Sequence, residues 1–196
     1  MTGKPTRHHR RSIRLRDYDY SQIGAYFLTI CAHHRAFLFG DIVNGEMRTN
    51  AAGQVVQATW EMLPSHYPGV TPDAFVIMPN HIHGIVVIDC VPNHSSVGAQ
   101  FIAPPSRTVA SGGAINRAPT PDRAPTLGDI IRGFKARTTH RLHRNLGIVR
   151  VWQRNYYEHV IRGNASLARI REYITNNPLR WAFDRENPVH DVATDY

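Results

Sequence analysis

The sequence has little cysteine and no long apolar run, and both shortages limit what the protein can be. It contains two cysteines, Cys31 and Cys90, in apolar segments where a reduced thiol behaves as a small hydrophobic group. The longest apolar stretch lies around residues 85–88 and is far shorter than the roughly 18 residues that a transmembrane helix needs. The arginine-rich N-terminus lacks the apolar core of a signal peptide. We therefore expect cysteines without a chemical role, no membrane partner and a cytoplasmic location.

Acidic residues are scarce as well. The 196 residues include 15 Asp and Glu against 23 Lys and Arg, which gives a formal net charge of +8. Such an imbalance costs self-repulsion unless a polyanion offsets it, so nucleic acid is the first candidate partner and a merely basic soluble protein is the alternative. The length and the hydrophobic content of 42% fit one globular domain with appendages.

Changes of composition along the chain predict its domain organisation. We expect a basic arm at 1–20, a folded domain at 21–182, an insertion rich in Pro, Ser, Gly and Ala within it at about 91–125, and a tail at 183–196. The arm carries arginines, including Arg11 and Arg14, followed by tyrosines. Guanidinium groups bind phosphates and tyrosines stack on bases, so the arm suits single-stranded or distorted nucleic acid; a disordered tail that aids solubility is the alternative.

The hydrophobic pattern predicts an α+β protein. The expected elements are a strand at 25–32, a hairpin turn at Asn44-Gly45, a helix from Asn50 to Pro64, strands at 73–78 and 81–90, a helix from Thr126, a strand at 148–153 and a helix from Asn164 to Pro178. Two strands joined only by Pro79-Asn80 pair antiparallel, which argues against a doubly wound parallel sheet. We expect a small antiparallel sheet with helices on one face, a sandwich of ferredoxin-like type.

Two histidines interrupt one of these apolar strands. Side chains alternate along a strand, so His81 and His83 project to the same side and Ile82 to the other. Neutral imidazole is the commonest metal ligand in proteins, and a strand holds two of them close enough to share one ion. The pattern is weak alone, and a solvent-facing pair is the alternative. Gly84 predicts room for another backbone or a ligand beside the pair.

The last predicted helix offers further ligands. Tyr173 lies at the border of its packing stripe, and Asn177 follows one turn later on the same face. If this helix crosses the sheet above the histidines, a phenol and an amide oxygen approach the same ion. By themselves, the two residues also fit a packing role for the tyrosine and a helix-terminating role for the asparagine.

Several segments together resemble the REP-associated tyrosine transposases, within the single-tyrosine HUH transposases. The matching segments are "RRSIRLRDYDYSQIGAYFLTIC", "PNHIHGIVVI", "LGDIIRGFK", "VWQRNYYEHVIRG" and "REYITNNPLRW". The resemblance implies that His81 and His83 are the histidine pair of the HUH motif, that Tyr173 is the nucleophile and that Asn177 completes the metal site. In related transposases a glutamine often holds that last position, and asparagine is one methylene shorter.

The implied activity is cleavage and strand transfer of single-stranded DNA at hairpin sequences. Tyr173 attacks the phosphodiester to give a 5′-phosphotyrosine and a free 3′-OH, with Mg²⁺ or Mn²⁺ as the working ion. Hairpin or single-stranded DNA is the expected partner, and monomer and homodimer both remain open. Besides the arm, the phosphate-facing candidates are Arg132, Lys135 and Arg154.

Two other functions compete with this interpretation. A non-catalytic nucleic-acid binder would use aromatic residues of the sheet to stack on bases and would need no metal. A zinc-dependent phosphodiester hydrolase would combine the histidine pair with Glu158 or Asp89 and would activate water. Within the transposase interpretation, Tyr156 and Tyr157 are the competing nucleophiles.

Overall fold

A computed structural model describes residues 18–89 and 125–188 of the chain. The predictions made for Arg11, Arg14 and Cys90 lie outside the described residues, as does nearly all of the expected arm and insertion. The strands are β1 (Gly24–Cys31), β2 (Gly40–Val43), β3 (Glu46–Thr49), β4 (Val70–Met78), β5 (His81–Ile88) and β6 (Tyr157–Ile161), and the α-helices are α1 (Ala51–Glu61), α2 (Leu63–His66), α3 (Leu127–Leu146) and α4 (Asn164–Asn176). A 3-10 helix at Pro178–Phe183 follows α4.

Four strands form one antiparallel sheet in the order β4-β5-β1-β6, and β2 pairs with β3 in a separate hairpin. With α1 between β1 and β4 and α3 between β5 and β6, the main elements follow the βαββαβ order of ferredoxin-like folds. The predicted α+β class with a small antiparallel sheet is therefore confirmed.

Helices cover both faces of this sheet. Even-numbered residues of β1 and β5, such as Leu28 and Ile82, join α1 and α3 in the larger core. Odd-numbered residues, such as Phe27 and Ile85, pack against Ile174 of α4 on the other face. The prediction that the helices share one face is wrong. The sequence of β1 is consistent with this result. A strand that is covered on both faces needs apolar residues at both odd and even positions, and β1 has them.

The predicted strand at 148–153 is also wrong. Only Trp152 makes an isolated bridge there, to Ala32, and the last strand of the sheet is β6. Val151 is nevertheless 1% exposed, because this segment covers the end of the larger core as an irregular crossing. Its apolar residues therefore report burial and not strand pairing.

Several local signals are confirmed. The side chain of Asn50 accepts a hydrogen bond from the Gly53 amide at the start of α1, and Thr126 forms a capping box with Asp129 at the start of α3. The turn at Asn44-Gly45 joins β2 to β3 with both residues at positive φ. Within residues 18–89 and 125–188, no helix combines the length and the apolar character that crossing a bilayer requires.

Candidate active site

The two histidines begin β5 and are buried on the face that α4 covers. His81 is 0% and His83 is 2% exposed, so they are not a solvent-facing pair. Their Nε2 atoms lie 3.0 Å apart, and the Phe27 ring stacks on His83 with 5.5 Å between centroids. The sheet therefore holds both imidazoles with the same ring nitrogens converging on one point.

Hydrogen bonds to the other ring nitrogens fix the orientation of the pair. Nδ1 of His81 lies 2.8 Å from Oδ1 of Asn80, and Nδ1 of His83 lies 2.9 Å from Oγ1 of Thr29. Burial, with a smaller contribution from the Arg35 charge, lowers the pKa of His81 to about 3. Burial also lowers the pKa of His83 well below its usual value. Both rings are therefore neutral near pH 7, which is the form that binds metal ions.

Tyr173 of α4 reaches the histidine pair. Its hydroxyl lies 3.2 Å from Nε2 of His83, while its ring packs edge-on against Phe27. Tyr173 is 42% exposed, so it lies at the surface of the protein although its hydroxyl points inward to His83. Burial of the hydroxyl, and then the negative charge of Asp184, raise the pKa of Tyr173 to about 12, against a smaller opposing effect of a hydrogen bond from Asn177. The phenol is thus protonated near neutral pH in the absence of a cation.

Asn177 lies at the end of α4, where the sequence predicted it. It is 2% exposed, and its side chain interacts with the phenol of Tyr173. Its Oδ1 has no hydrogen-bond partner among the described residues. Burying an amide oxygen without a hydrogen-bond donor costs about 1–3 kcal/mol of stability. A donor or a cation beside this oxygen would remove that cost.

An acid that the sequence reasoning missed completes the group. Asp184, two residues beyond the predicted domain end at 182, is 8% exposed, and its Oδ2 lies 4.0 Å from Nε2 of His81. Ligand atoms of His81, His83 and Asp184 all lie within 4.8 Å of one another. No periodic pattern marks Asp184; the available signal is an acid directly after the "PLRWAF" segment, whose 3-10 helix brings it near the histidines.

The donor set fits a divalent cation. Two ligands about 2.1 Å from an ion and at right angles to each other are about 3.0 Å apart. The two Nε2 atoms have that separation, 3.0 Å. Two neutral imidazoles, one carboxylate and a nearby amide oxygen without a donor form the mixed nitrogen and oxygen set that Mn²⁺, Mg²⁺ or Zn²⁺ accept. His81, His83 and Asp184 are thus the residues best placed to hold such an ion, with Asn177 close by.

The other acids considered from the sequence lie elsewhere. Glu158 pairs with Leu28 in β6 and therefore projects into the larger core, on the face opposite the histidines. Asp89 follows the far end of β5 and accepts a hydrogen bond from Thr71 at 2.8 Å. Neither acid lies close enough to the histidine pair to share a metal ion with it. The zinc-dependent hydrolase interpretation therefore lacks the third ligand that it assigned to Glu158 or Asp89.

The competing tyrosines differ in position. Tyr157 pairs with Thr29, so it lies on the same face as His83, and it is 49% exposed. Its ring contacts Phe27 at 6.3 Å between centroids. Tyr156 is partly buried and packs against the larger core. Among the described tyrosines, Tyr173 is the one with a hydroxyl bonded to the histidine pair.

The predicted phosphate contacts fall into two kinds. Nζ of Lys135 points inward and donates to the carbonyls of Gln153 at 3.0 Å and Asn155 at 2.9 Å, so it holds that loop. Arg132 is exposed and pairs with Asp129 at 3.1 Å, and Arg154 is exposed. The two arginines remain available to a polyanion, whereas the ammonium of Lys135 is committed to the protein backbone.

The same fold occurs in a solved transposase structure. A solved structure of a REP-associated tyrosine transposase bound to a REP hairpin superimposes with a TM-score of 0.54, covering 88% of this chain and 76% of that chain at 18% identity. A candidate transposase from Deinococcus radiodurans covers 83% of this chain and 95% of its own at 14% identity, with a TM-score of 0.44. The first of these two structures confirms the fold expected from the resemblance.

Sequence comparison identifies a family member. An uncharacterized protein of Haemophilus influenzae is 43% identical over 179 residues, which span 91% of this chain and 93% of that protein. The chain belongs to the same family as that protein. No family model matches the sequence.

Proposed function

We propose that the protein cleaves single-stranded DNA beside hairpin sequences in a metal-dependent reaction and rejoins it through a 5′-phosphotyrosine at Tyr173. The observation that carries this proposal is the phenol hydroxyl 3.2 Å from Nε2 of His83, beside a buried group of two imidazoles and a carboxylate. A nucleophile next to a cation site is the arrangement that phosphodiester cleavage needs.

In this proposal His81, His83 and Asp184 hold a divalent cation, Mg²⁺ or Mn²⁺, and Asn177 contributes its free Oδ1. When bound, the ion neutralises charge on the scissile phosphate and on the oxygens that enter and leave. The deep burial of the histidines keeps water from competing for their lone pairs. This ligand set modifies the expectation from the resemblance, because Asp184 joins the histidines and Asn177 is no longer the sole third ligand.

The chemistry of the chain itself rests on Tyr173. Its oxygen attacks phosphorus, the bond from phosphorus to the 3′-oxygen breaks, and the leaving 3′-oxygen takes up a proton as the phenol gives one up. Packing against Phe27 and the interaction with Asn177 hold the phenol beside His83. A 3′-OH of another strand reverses the step, because the phosphotyrosine link keeps the energy of the cleaved bond.

The proposed DNA partner is supported by charge and by comparison. The net charge of +8 favours a polyanion, and the REP-associated transposase of the same fold was solved with a REP hairpin. Exposed Arg154 and Arg132 are the described residues that we assign to phosphate contacts. Arg11 and Arg14 remain candidates from the sequence alone.

The test is incubation of the protein with single-stranded DNA that contains a hairpin, with Mn²⁺, followed by a denaturing gel. We expect a covalent adduct with the wild type and none with Tyr173→Phe, which still binds DNA. Tyr157→Phe is the matched control, since it removes a hydroxyl from a neighbouring exposed tyrosine and should leave the adduct intact. An undiminished adduct with Tyr173→Phe would refute the assignment, and binding without any adduct would favour the non-catalytic binder.

Separate variants test the metal site. Removing a residue that only hydrogen-bonds to a metal ligand lowers metal affinity by about 10–100-fold. Asp184→Asn removes a ligand itself, so we expect it to lower the affinity for Mn²⁺ by at least that factor. Asn177→Ala should have a smaller effect, because an amide oxygen is a weaker ligand than a carboxylate. Isothermal titration of the purified variants measures both, and equal affinity of Asp184→Asn and wild type would exclude Asp184 as a ligand.

A further inference from the structure

Asn80 connects the histidine pair to the C-terminal segment. It occupies the two-residue turn between β4 and β5 and is fully buried. Its backbone carbonyl accepts a hydrogen bond from the Ala32 amide at 2.7 Å, and its side-chain Nδ2 donates to the backbone carbonyl of Glu186 at 2.7 Å. A primary amide has a donor end and an acceptor end. The bond to Glu186 therefore decides that Oδ1 of Asn80 faces His81.

That orientation decides which nitrogen of His81 carries hydrogen. Oδ1 of Asn80 lies 2.8 Å from Nδ1 of His81 and can only accept a hydrogen bond. Nδ1 must then be the donor, and a neutral imidazole has a single N–H. The lone pair consequently sits on Nε2, the atom 3.0 Å from His83 and 4.0 Å from Asp184.

His83 is held by different groups, and a hydrogen bond to the backbone of Leu28 favours its protonated form. Its Nδ1 lies 2.9 Å from the hydroxyl of Thr29, which can donate or accept. Nε2 of His83 can thus donate to His81 when no cation is present. When a cation binds, the hydrogen can move to Nδ1 while Thr29 changes from donor to acceptor. The Asn80 amide therefore fixes the hydrogen of His81, whereas the Thr29 hydroxyl does not fix that of His83.

We propose that Asn80 is a positioning residue that locks His81 as its Nδ1–H tautomer, with the backbone carbonyl of Glu186 setting the direction of the amide. The C-terminal segment then contributes to the site in two ways. Asp184 supplies a carboxylate, and the carbonyl of Glu186 acts through Asn80 to keep the lone pair of His81 on Nε2. The inference rests on the proposed function only in treating His81 as a cation ligand. The tautomer itself is a property of the metal-free protein.

The test is nitrogen-15 NMR of the histidine side chains in the metal-free protein. We expect His81 of the wild type as a single Nδ1–H tautomer. Asn80→Ala should give a mixture of tautomers and lower the affinity for Zn²⁺ by about 10–100-fold. Asn80→Asp keeps an acceptor beside Nδ1 and should restore the single tautomer, even though it cannot donate to Glu186. A merely structural role of Asn80 would lower stability without moving the tautomer.

Thr29→Val is the matched control, because it removes the Nδ1 partner of His83 and should leave the His81 tautomer unchanged. Hydrogen on Nε2 of His81 in the wild type would overturn the proposal, as would an unchanged tautomer in Asn80→Ala. If Asn80→Ala does not fold, the wild type and Asn80→Asp still test the proposal, because it requires the Nδ1–H form of His81 in both. Absence of a Tyr173 adduct would defeat the proposed function and leave the tautomer result untouched.

Discussion

Replacing Gly84 with alanine would force a methyl group into the larger core directly behind the histidine pair. A Cβ at Gly84 would lie 2.5 Å from Cζ2 and 2.7 Å from Cη2 of Trp60, and 3.1 Å from Cδ2 of Phe75. The indole cannot easily move aside, because it is 2% exposed and stacks on Phe75 with 4.6 Å between centroids. The sequence predicted space for a backbone or a ligand beside this glycine. In the structure the indole of Trp60 occupies that space.

The expected cost follows from this overlap. Inserting a methyl group into a packed core costs about 1–3 kcal/mol, which in a chain of this size lowers Tm by about 2–4 °C for each kcal/mol. Trp60→Phe removes the two indole carbons that clash, although by itself it leaves a cavity and is destabilising. Gly84→Ala and Trp60→Phe should therefore offset each other when combined, with a coupling of about 0.5–3 kcal/mol.

Urea unfolding of the metal-free wild type, the two single variants and the double variant measures this coupling. If Gly84→Ala costs less than about 0.5 kcal/mol, or if the two costs simply add, the close packing inferred here is wrong. A displaced Gly84 also shifts its neighbour His83. We therefore expect the single variant, but not the double variant, to lose affinity for Mn²⁺.

Two further predictions concern reactivity and DNA binding. Burial, reinforced by the nearby negative charge of Glu186, raises the pKa of Cys31 to about 12, so at pH 8 its thiolate should be roughly a thousandfold scarcer than that of an ordinary cysteine. Its alkylation by iodoacetamide should be correspondingly slow in native protein and normal in urea, as read by peptide mass mapping; rapid native labelling would contradict the buried environment. Arg154→Ala, made in the Tyr173→Phe background, should reduce the slope of log affinity against log salt by about 1, and an unchanged slope would remove Arg154 from the phosphate contacts.

Local chemistry explains which parts of the fold were predictable. The caps at Asn50 and Thr126 and the turn at Asn44-Gly45 depend on neighbouring residues only, so their signals are complete in the sequence. The segment at 148–153 failed because apolar content reports burial, and a crossing over the end of a sheet is buried as a strand is. Which face each helix covers depends on long-range packing, which periodicity within one element does not contain.

The sequence by itself determined the ferredoxin-like class, because the hydrophobic pattern gives the order of strands and helices along the chain. It also determined the shared side of His81 and His83 and the shared face of Tyr173 and Asn177, because strand and helix periods set these relations within a few residues. Only the tertiary structure brought α4 over the histidines and turned Asp184 and the carbonyl of Glu186 toward them. Those contacts join residues about a hundred positions apart, as in the bond from Asn80 to Glu186 with a sequence separation of 106. Their formation depends on how α4 and the following segment pack on the sheet, and no local pattern encodes that packing.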